Sequence, residues 1–533
     1  MPAPRPRRFQ PENRSPRSPT VDTMASGQDQ VDPRFAVTEQ TVSTDPTLKT
    51  AKSLTGGAHL DDILDVSSLK DGAAGSEATG GKTSKAAAWA KSALTEGHTW
   101  WDAMLSSACS SIGQIILAFP NQMASTGVIA GIVLYMGTGF LSFYSIWLLI
   151  TLFLDRKQRM VKLGTWYSKT DRHGYQRRGQ ITQYHDVIHY SLGKWWGWFT
   201  QFIVVLTIIG NGTTQIVASS SSQYVINKQF DKRQWGLIMG PVLCWAAFLP
   251  SMRSNRIMNI VGLVGTNYSV AYFFIVACIK GITPGAITRP PPSRQAFFNG
   301  AAVMGGGSGN FVAAIEMMDA MRQSRLYGLS FVVSVAWTFL LVIPHTTAVV
   351  LAYPDQSLAQ GNIYSILPAS HWKTASVYLM LIHNIAAFTV HTAPLMYIWE
   401  RFVGTHTSRN LIRLPSRTPV VALLWLIAVA IPFYGTLNSL VGSFSPFLQF
   451  VAPALAYNWY YRTQERRDEA PTAPPGILGR WGWKPVFFLN WAIIVFFSVF
   501  GVGFEVYYSI VALVKNIHTF KFFAACYQCA GST

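Results

Sequence analysis

The chain has 533 residues, of which 50% are hydrophobic and only 13% charged, with a formal net charge of +18. Soluble domains carry about 25% charged residues, and mean hydropathy is +0.23 in spite of a long polar N-terminus, so the composition excludes a set of soluble domains and indicates a polytopic membrane protein. The basic residues cluster in loops beside apolar stretches, which makes membrane orientation rather than nucleic acid the reason for the charge, and five cysteines are too few for a disulfide scaffold.

Residues 1 to about 98 are rich in Ser, Thr, Gly, Pro and Asp and show no sustained apolar periodicity. A segment of this kind buries too little surface to fold alone, so a disordered tail is expected. Its start, MPAPRPRRF, has no apolar core after it and does not read as a secretory signal. Apolar stretches then follow at about 103–123, 127–154, 193–220, 235–250, 257–280, 297–321, 326–352, 374–402, 419–433, 438–461 and 485–514, numbered spans 1 to 11. None shows the alternation of a barrel strand, so all are expected to be helices. The loop after span 2 holds Arg156, Lys157, Arg159, Lys162, Lys169, Arg172, Arg177 and Arg178. Arg409, Arg413 and Arg417 follow span 8, and Arg462, Arg466 and Arg467 follow span 10. With eleven spans these loops share one side, and the positive-inside rule places the N-terminus in the cytosol and the C-terminus outside. The expected organisation is a cytosolic tail, 1–98, a transmembrane domain, 99–514, and a short extracellular end, 515–533.

Span 6 is interrupted. The segment FFNGAAVMGGGSGNFVAAIEMMDAM, Phe297 to Met321, is uncharged over its first nineteen residues, yet its middle reads Gly305-Gly306-Gly307-Ser308-Gly309-Asn310. Each glycine costs a helix about 1 kcal/mol relative to alanine, and broken backbone at membrane depth survives only beside protein or a wet cavity. Close helix packing through small residues is the structural alternative. Span 1 is also polar, from Ser106 to Gln114, with Pro120-Asn121 after it. Interrupted helices five spans apart mark the binding site of an inverted-repeat transporter. The predicted architecture is therefore all-α: eleven transmembrane helices, a five-plus-five LeuT-like inverted repeat plus one extra helix, with helices 1 and 6 broken.

Ionisable groups at membrane depth are costly and usually face the bundle interior. Candidate binding groups are Ala108, Cys109, Ser110, Ser111 and Gln114 on span 1, Asn211 and Gln215 on span 3, Gly307, Gly309, Asn310 and Phe311 on span 6, and His383 and Asn384 on span 8. Candidates to carry a proton are His383, His391, Glu316 and Asp102. His383 and His391 lie about 800° apart round a helix, which predicts a shared polar face. His345, beside Pro344, is expected near an outer helix end, and Glu400-Arg401 at the cytosolic boundary. The sequon Asn211-Gly212-Thr213 sits inside span 3 and is discounted. Cys526 and Cys529 form a lone CxxC, short of a zinc site, which an external position would allow to be a disulfide. No Walker motif and no metal-ligand spacing is present, so no cofactor, metal or enzymatic activity is expected.

Several stretches resemble the auxin influx carriers of plants, the AUX/LAX group of the amino acid/auxin permeases. They are GQIILAFPNQMASTGVIAGI at 113–132, QIVASSSSQYVINKQFDKRQW at 215–235, FLPSMRSNRI at 248–257, EMMDAM at 316–321, LMLIHNIAAF at 379–388, PLMYIWERFVGTH at 394–406 and CYQC at 526–529. The resemblance spans about 98–529. It implies eleven spans and proton-coupled uptake of indole-3-acetic acid across the plasma membrane. The chain departs from the group twice. Asn310 or Phe311 stands where the group has a histidine in broken span 6, and Ser110-Ser111-Ile112 stands where span 1 reads Ser-Asn-Gln. His391 stands where the group has a small residue.

The expected partners are a small carboxylate, protons and the lipid bilayer, and not nucleic acid. Helix dipoles and free N–H groups at the two breaks would hold the carboxylate, with Phe311 packed on an indole. An anion entering a cell works against about 2.3 kcal/mol per 100 mV, which one cotransported proton cancels. The rivals are an amino acid–proton symporter, which an acidic or carbonyl cluster for the ammonium would favour, though no acidic residue stands in the middle of span 1 or span 6, and a ligand sensor that signals through the tail.

Overall fold

The computed structural model describes residues 98–163, 169–170, 176–177, 181–249, 255–307, 309–321, 323–406, 408–472 and 481–524. The expected disordered tail, most of the basic loop after span 2, and the CYQC end lie outside the described residues. The regular structure of the described residues is helical apart from a two-residue ladder, Lys169–Thr170 against Gln176–Arg177, and a single parallel bridge between His98 and Met321.

Helix starts follow local chemistry. Thr99 caps Trp100–Ile112 in a reciprocal box, its Oγ1 accepting from Asp102 N at 3.4 Å and Asp102 Oδ2 accepting from Thr99 N at 3.0 Å. Asp231 and Gln234 form the same box at the start of span 4, with bonds of 2.7 and 2.9 Å. Among the described residues, eight helices are long and apolar enough to cross a membrane, or nine with span 1 counted through its bend. They are Val128–Lys162 (span 2), Lys194–Ile226 (span 3), Arg256–Lys280 (span 5), Ser324–Ala352 (span 7), His371–Val403 (span 8), Asn410–Ala430 (span 9), Tyr434–Tyr460 (span 10) and Trp483–Phe520 (span 11). Span 4 is shorter, a helix Lys232–Cys244 prolonged by the 3-10 turn Trp245–Phe248, and span 6 is divided into Arg294–Gly306 and Ala314–Ala320. The expected count of eleven is thus met by length and apolarity at nine positions only.

The helix pairings carry the repeat. Span 1 packs on spans 5 and 7, and span 6 packs on spans 10 and 2. Span 8 lies on span 5 as span 3 lies on span 10, spans 3 and 8 cross, and spans 4 and 9 pair. Exchanging the first five for the second five leaves this set unchanged, which the sequences of the two halves do not reveal. Span 11 stands outside the exchange, against spans 6 and 10.

Small residues bring the second helix of span 1, Phe119–Thr126, and the first helix of span 6 backbone to backbone. A Cβ on Gly300 would lie 2.7 Å from the Gln122 carbonyl, and one on Gly442 of span 10 would lie 2.5 Å from the Ala302 carbonyl. Other joints between helices are tied by charge. Asp102 pairs with Arg256 at 2.7 Å, joining spans 1 and 5, and Glu400 pairs with Arg417 at 2.6 Å, joining spans 8 and 9. Both Glu400 and Arg417 are buried, so the boundary position expected for Glu400 is an enclosed ion pair. Asp155 of span 2 accepts from Tyr460 Oη of span 10 at 2.6 Å. His345 is fully buried in span 7 with Nδ1 bonded to the Leu341 carbonyl at 2.7 Å. Its place is the helix interior rather than a helix end, because the helix continues to Ala352.

Candidate functional site

Both breaks fall in the glycine- and serine-rich segments. Helix Trp100–Ile112 ends at Gly113, whose φ of −25° and ψ of −146° leave the helical region, and the chain resumes after a 3-10 turn at an angle of 69°. The Gln114 carbonyl freed by this break accepts from Tyr434 Oη of span 10 at 2.5 Å. Its side-chain Nε2 donates to Asn438 Oδ1 at 2.8 Å and to Thr214 Oγ1 at 3.2 Å. In span 6 the helix stops at Gly306 and restarts at Ala314. Asn310 Oδ1 accepts from the Ala313 N–H at 3.3 Å, covering one orphan donor of the restarting helix. Packing leaves Gly307 and Gly309 no room for side chains, since a Cβ would meet Phe119 Cζ at 2.7 Å and Phe331 Cζ at 2.8 Å.

Between the breaks lies a cavity of about 690 Å³, counted with its opening to solvent. The expected residues Ser110, Ser111, Gln114, Asn211, Gln215, Gly307, Gly309, Asn310 and Phe311 all line it, and so does His391. Among the described residues no Asp, Glu, Lys or Arg does, so His391 is the one ionisable side chain of the described lining. Its Nδ1 donates to the Ala387 carbonyl at 2.9 Å, which leaves Nε2 as the acceptor of a neutral ring. Three buried polar atoms of the lining have no partner among the described residues: Ser111 Oγ, Gln215 Oε1 and Asn310 Nδ2. Phe311 is buried with its ring edge against Phe331, centroids 5.6 Å apart.

The remaining candidates stand elsewhere. Ala108 and Cys109 are fully buried in the turn before the break and do not reach the cavity. His383 faces span 5, with Nδ1 2.7 Å from Thr266 Oγ1. Asn384 Nδ2 donates to Ser219 Oγ of span 3 at 3.0 Å. The eight residues separating His383 from His391 overshoot two turns by about 80°, enough to send one ring to span 5 and the other into the cavity, so the shared polar face is not formed. Asp102 is held by Arg256. Glu316 is buried at the end of span 6 and accepts from Gln183 Nε2 at 3.4 Å.

Gln183 precedes a loop helix, Tyr184–Leu192, that clamps the end of span 6 to span 8. Its Nε2 also donates to the Pro394 carbonyl at 2.9 Å, and Asp186 accepts from Arg401 Nη1 at 3.0 Å and Nη2 at 3.1 Å. Burial works against the Asp186 charge, but the Arg401 hydrogen bonds and the neighbouring His185 hold its carboxyl below the usual range. Burial pushes His185 down to about 4.

Sequence reasoning missed the wall contributed by span 10. Asn438, Val441, Gly442, Ser445, Leu448 and Gln449 all line the cavity. The signal was present in the run of small and polar residues from Asn438 to Ser445 inside an apolar span. The helix there opens into a π turn, Phe447–Val451, and Gln449 is bonded to Ser142 and Ser145 of span 2.

A membrane-spanning bundle with two helices broken around an uncharged polar cavity is the architecture of a transporter that holds its substrate at mid-depth. The family model for transmembrane amino acid transporter proteins matches residues 96–510. Auxin transporter-like protein 1 of Oryza sativa subsp. japonica is 30% identical over 469 residues, 88% of this chain and 92% of the relative. Auxin transporter protein 1 of Arabidopsis thaliana is 30% identical over 438 residues, 82% and 88% of the two chains. The chain belongs to the auxin transporter family of the transmembrane amino acid transporters, and is accordingly a membrane transporter of a small molecule rather than an enzyme. A solved Na+-coupled sialic acid symporter superposes with a TM-score of 0.47 at 9% identity, over 80% of this chain and 92% of that one.

Proposed function

We propose that the protein is a proton-coupled symporter that imports indole-3-acetic acid or a similar aromatic carboxylate across the plasma membrane, with its N-terminus in the cytosol. The observation that carries the reading is the composition of the cavity: among the described residues it is uncharged, set between the two helix breaks, with His391 its one ionisable group. A carboxylate in such a cavity has no fixed cation to meet it. A proton on His391 would supply the charge, so anion and proton enter together and the pair is neutral. Asn310 Nδ2 and Ser111 Oγ are unpaired donors suited to the carboxylate oxygens. Phe311 gives an aromatic face for the ring. The lack of an acidic group in the lining favours a carboxylate over an amino acid, whose ammonium would go without a counter-charge. The sequence similarity to relatives named auxin transporters supports the same substrate class.

The test is uptake of radiolabelled indole-3-acetic acid into cells that lack an endogenous carrier. Saturable uptake that rises in acid medium and collapses with a protonophore is expected. Saturable binding without accumulation would favour a sensor, and uptake of amino acids but not of the auxin would overturn the substrate.

A further inference from the structure

Span 11 carries an acid that neither the sequence candidates nor the cavity accounts for. Glu505 closes the π-helical stretch Phe497–Glu505 midway along the helix Trp483–Phe520. Its Oε2 is buried without a partner, and no hydrogen bond or ion pair reaches the carboxyl among the described residues. The elements packed against this stretch are Arg294–Gly306 of span 6, and Tyr434–Pro446 with the π turn Phe447–Val451 of span 10. Their titratable side chains are Arg294 and Tyr434, each the first residue of its helix, and the π turn has none. On span 11 itself Tyr507 and Tyr508 are adjacent, while Lys484, Lys515 and His518 stand near the two ends of the helix. Among the described residues a carboxylate here meets no counter-charge, which favours the neutral acid as the resting form.

The surroundings show how such a group could matter. Gly501 and Ser509, four residues to either side of Glu505, form the seam with spans 10 and 6. A Cβ on Gly501 would lie 2.6 Å from Pro446 Cβ, and Ser509 Oγ donates to Asn299 Oδ1 at 3.4 Å. Phe298 of span 6 stacks on Phe504 at 5.2 Å and on Tyr508 at 5.3 Å. At the other end of the stretch Phe497 stacks on Phe450 at 4.1 Å. Phe450 belongs to the π turn of span 10, whose Leu448 and Gln449 line the cavity. Two π segments, which often mark functional positions in helices, therefore meet between Glu505 and the cavity wall.

We propose that Glu505 is a second proton site: it binds a proton while the seam of span 11 against spans 6 and 10 is closed, and releases it when transport opens that seam to water. The proposal rests on the transport reading and not on which carboxylate is carried. Dicyclohexylcarbodiimide, which enters the lipid phase and adds to protonated carboxyl groups, is applied to the full-length protein in membranes, and its adduct is mapped by mass spectrometry. Modification of Glu505 at acid pH is expected, with a rate that changes when indole-3-acetic acid is present. In Glu505→Gln, which keeps the shape of the neutral acid, the protons moved per substrate are expected to fall by one. Absence of the adduct at every pH, an adduct rate indifferent to substrate, or an unchanged proton-to-substrate ratio in the variant would each overturn the proposal. The adduct is read on wild-type protein, so it decides even where the variant does not reach the membrane. Failure of the wild type to take up any carboxylate would sink the transport reading instead, leaving labelling of resting Glu505 unaffected.

Discussion

The break in span 6 can be tested by giving Gly309 a side chain. A Cβ at this position would lie 2.8 Å from both Phe331 Cε2 and Phe331 Cζ. Carbon atoms settle about 3.5–4.0 Å apart, so the ring must retreat by about 0.7–1.2 Å even for alanine. Phe331 cannot move alone, because Phe311 rests edge-on against it at the cavity wall. Overpacking of this kind costs about 1–3 kcal/mol, and leucine adds three further carbons and raises helix propensity by nearly 1 kcal/mol. If the cost falls on the substrate-bound cavity, affinity for substrate drops by about 5- to 150-fold. Gly309→Leu should therefore lose most uptake while reaching the membrane. Gly305 is the control: a Cβ there meets only Thr138 Cγ2, at 3.8 Å, and the residue is helical. Gly305→Ala should transport normally. The assay is initial uptake over a range of substrate concentrations, normalised to surface protein. Wild-type uptake by Gly309→Leu, or equal loss in both variants, would refute the reasoning.

Three further outcomes follow from other parts of the structure. Deleting residues 1–90 should leave uptake per surface molecule nearly unchanged, because a segment so polar contributes little packing; loss of substrate binding by the purified truncated protein would contradict this. His383→Gln should keep the wild-type pH profile of uptake, because His383 faces Thr266 rather than the cavity; a flattened profile would make it the proton carrier. His185 has its proton affinity lowered from 6.5 to about 4 by burial, so the unfolded chain takes up the proton first and stability falls as pH drops through that interval. The loss is on the order of 3 kcal/mol, read as a falling unfolding temperature of detergent-solubilised protein, and His185→Gln should remove it. An equally steep fall in the variant would assign the pH dependence to other groups.

Much of the architecture was legible because bilayer and backbone leave few options. Apolar runs of about 20 residues must be helices, and the glycine run at 305–309 could not continue one. The polar run from Ser106 to Gln114 identified the other break, and both breaks enter the same cavity. What escaped was rotational. Residue spacing gave His383 and His391 similar headings, but an offset of about 80° divides them between span 5 and the cavity. The contribution of span 10 escaped although its small and polar run from Asn438 to Ser445 was readable; only Leu448 and Gln449 of its lining fall in the π turn. Ala108 and Cys109 directly precede the lining residues Ser110 and Ser111, yet are fully buried away from the cavity. Span 4 looked like an ordinary crossing by sequence, but its helix runs only from Lys232 to Cys244 before tightening into a 3-10 turn.

The measurement that bears most directly on proton-coupled carriage through this cavity is the pH profile of uptake in His391→Gln. Glutamine keeps a polar group in the cavity but cannot take up a proton. Acid-stimulated uptake of indole-3-acetic acid should flatten to a low, pH-independent rate, with substrate binding to the purified protein weakened mainly in acid. A His391→Gln protein with the wild-type acid stimulation would contradict the account, since the cavity lining would then hold no group able to carry the proton.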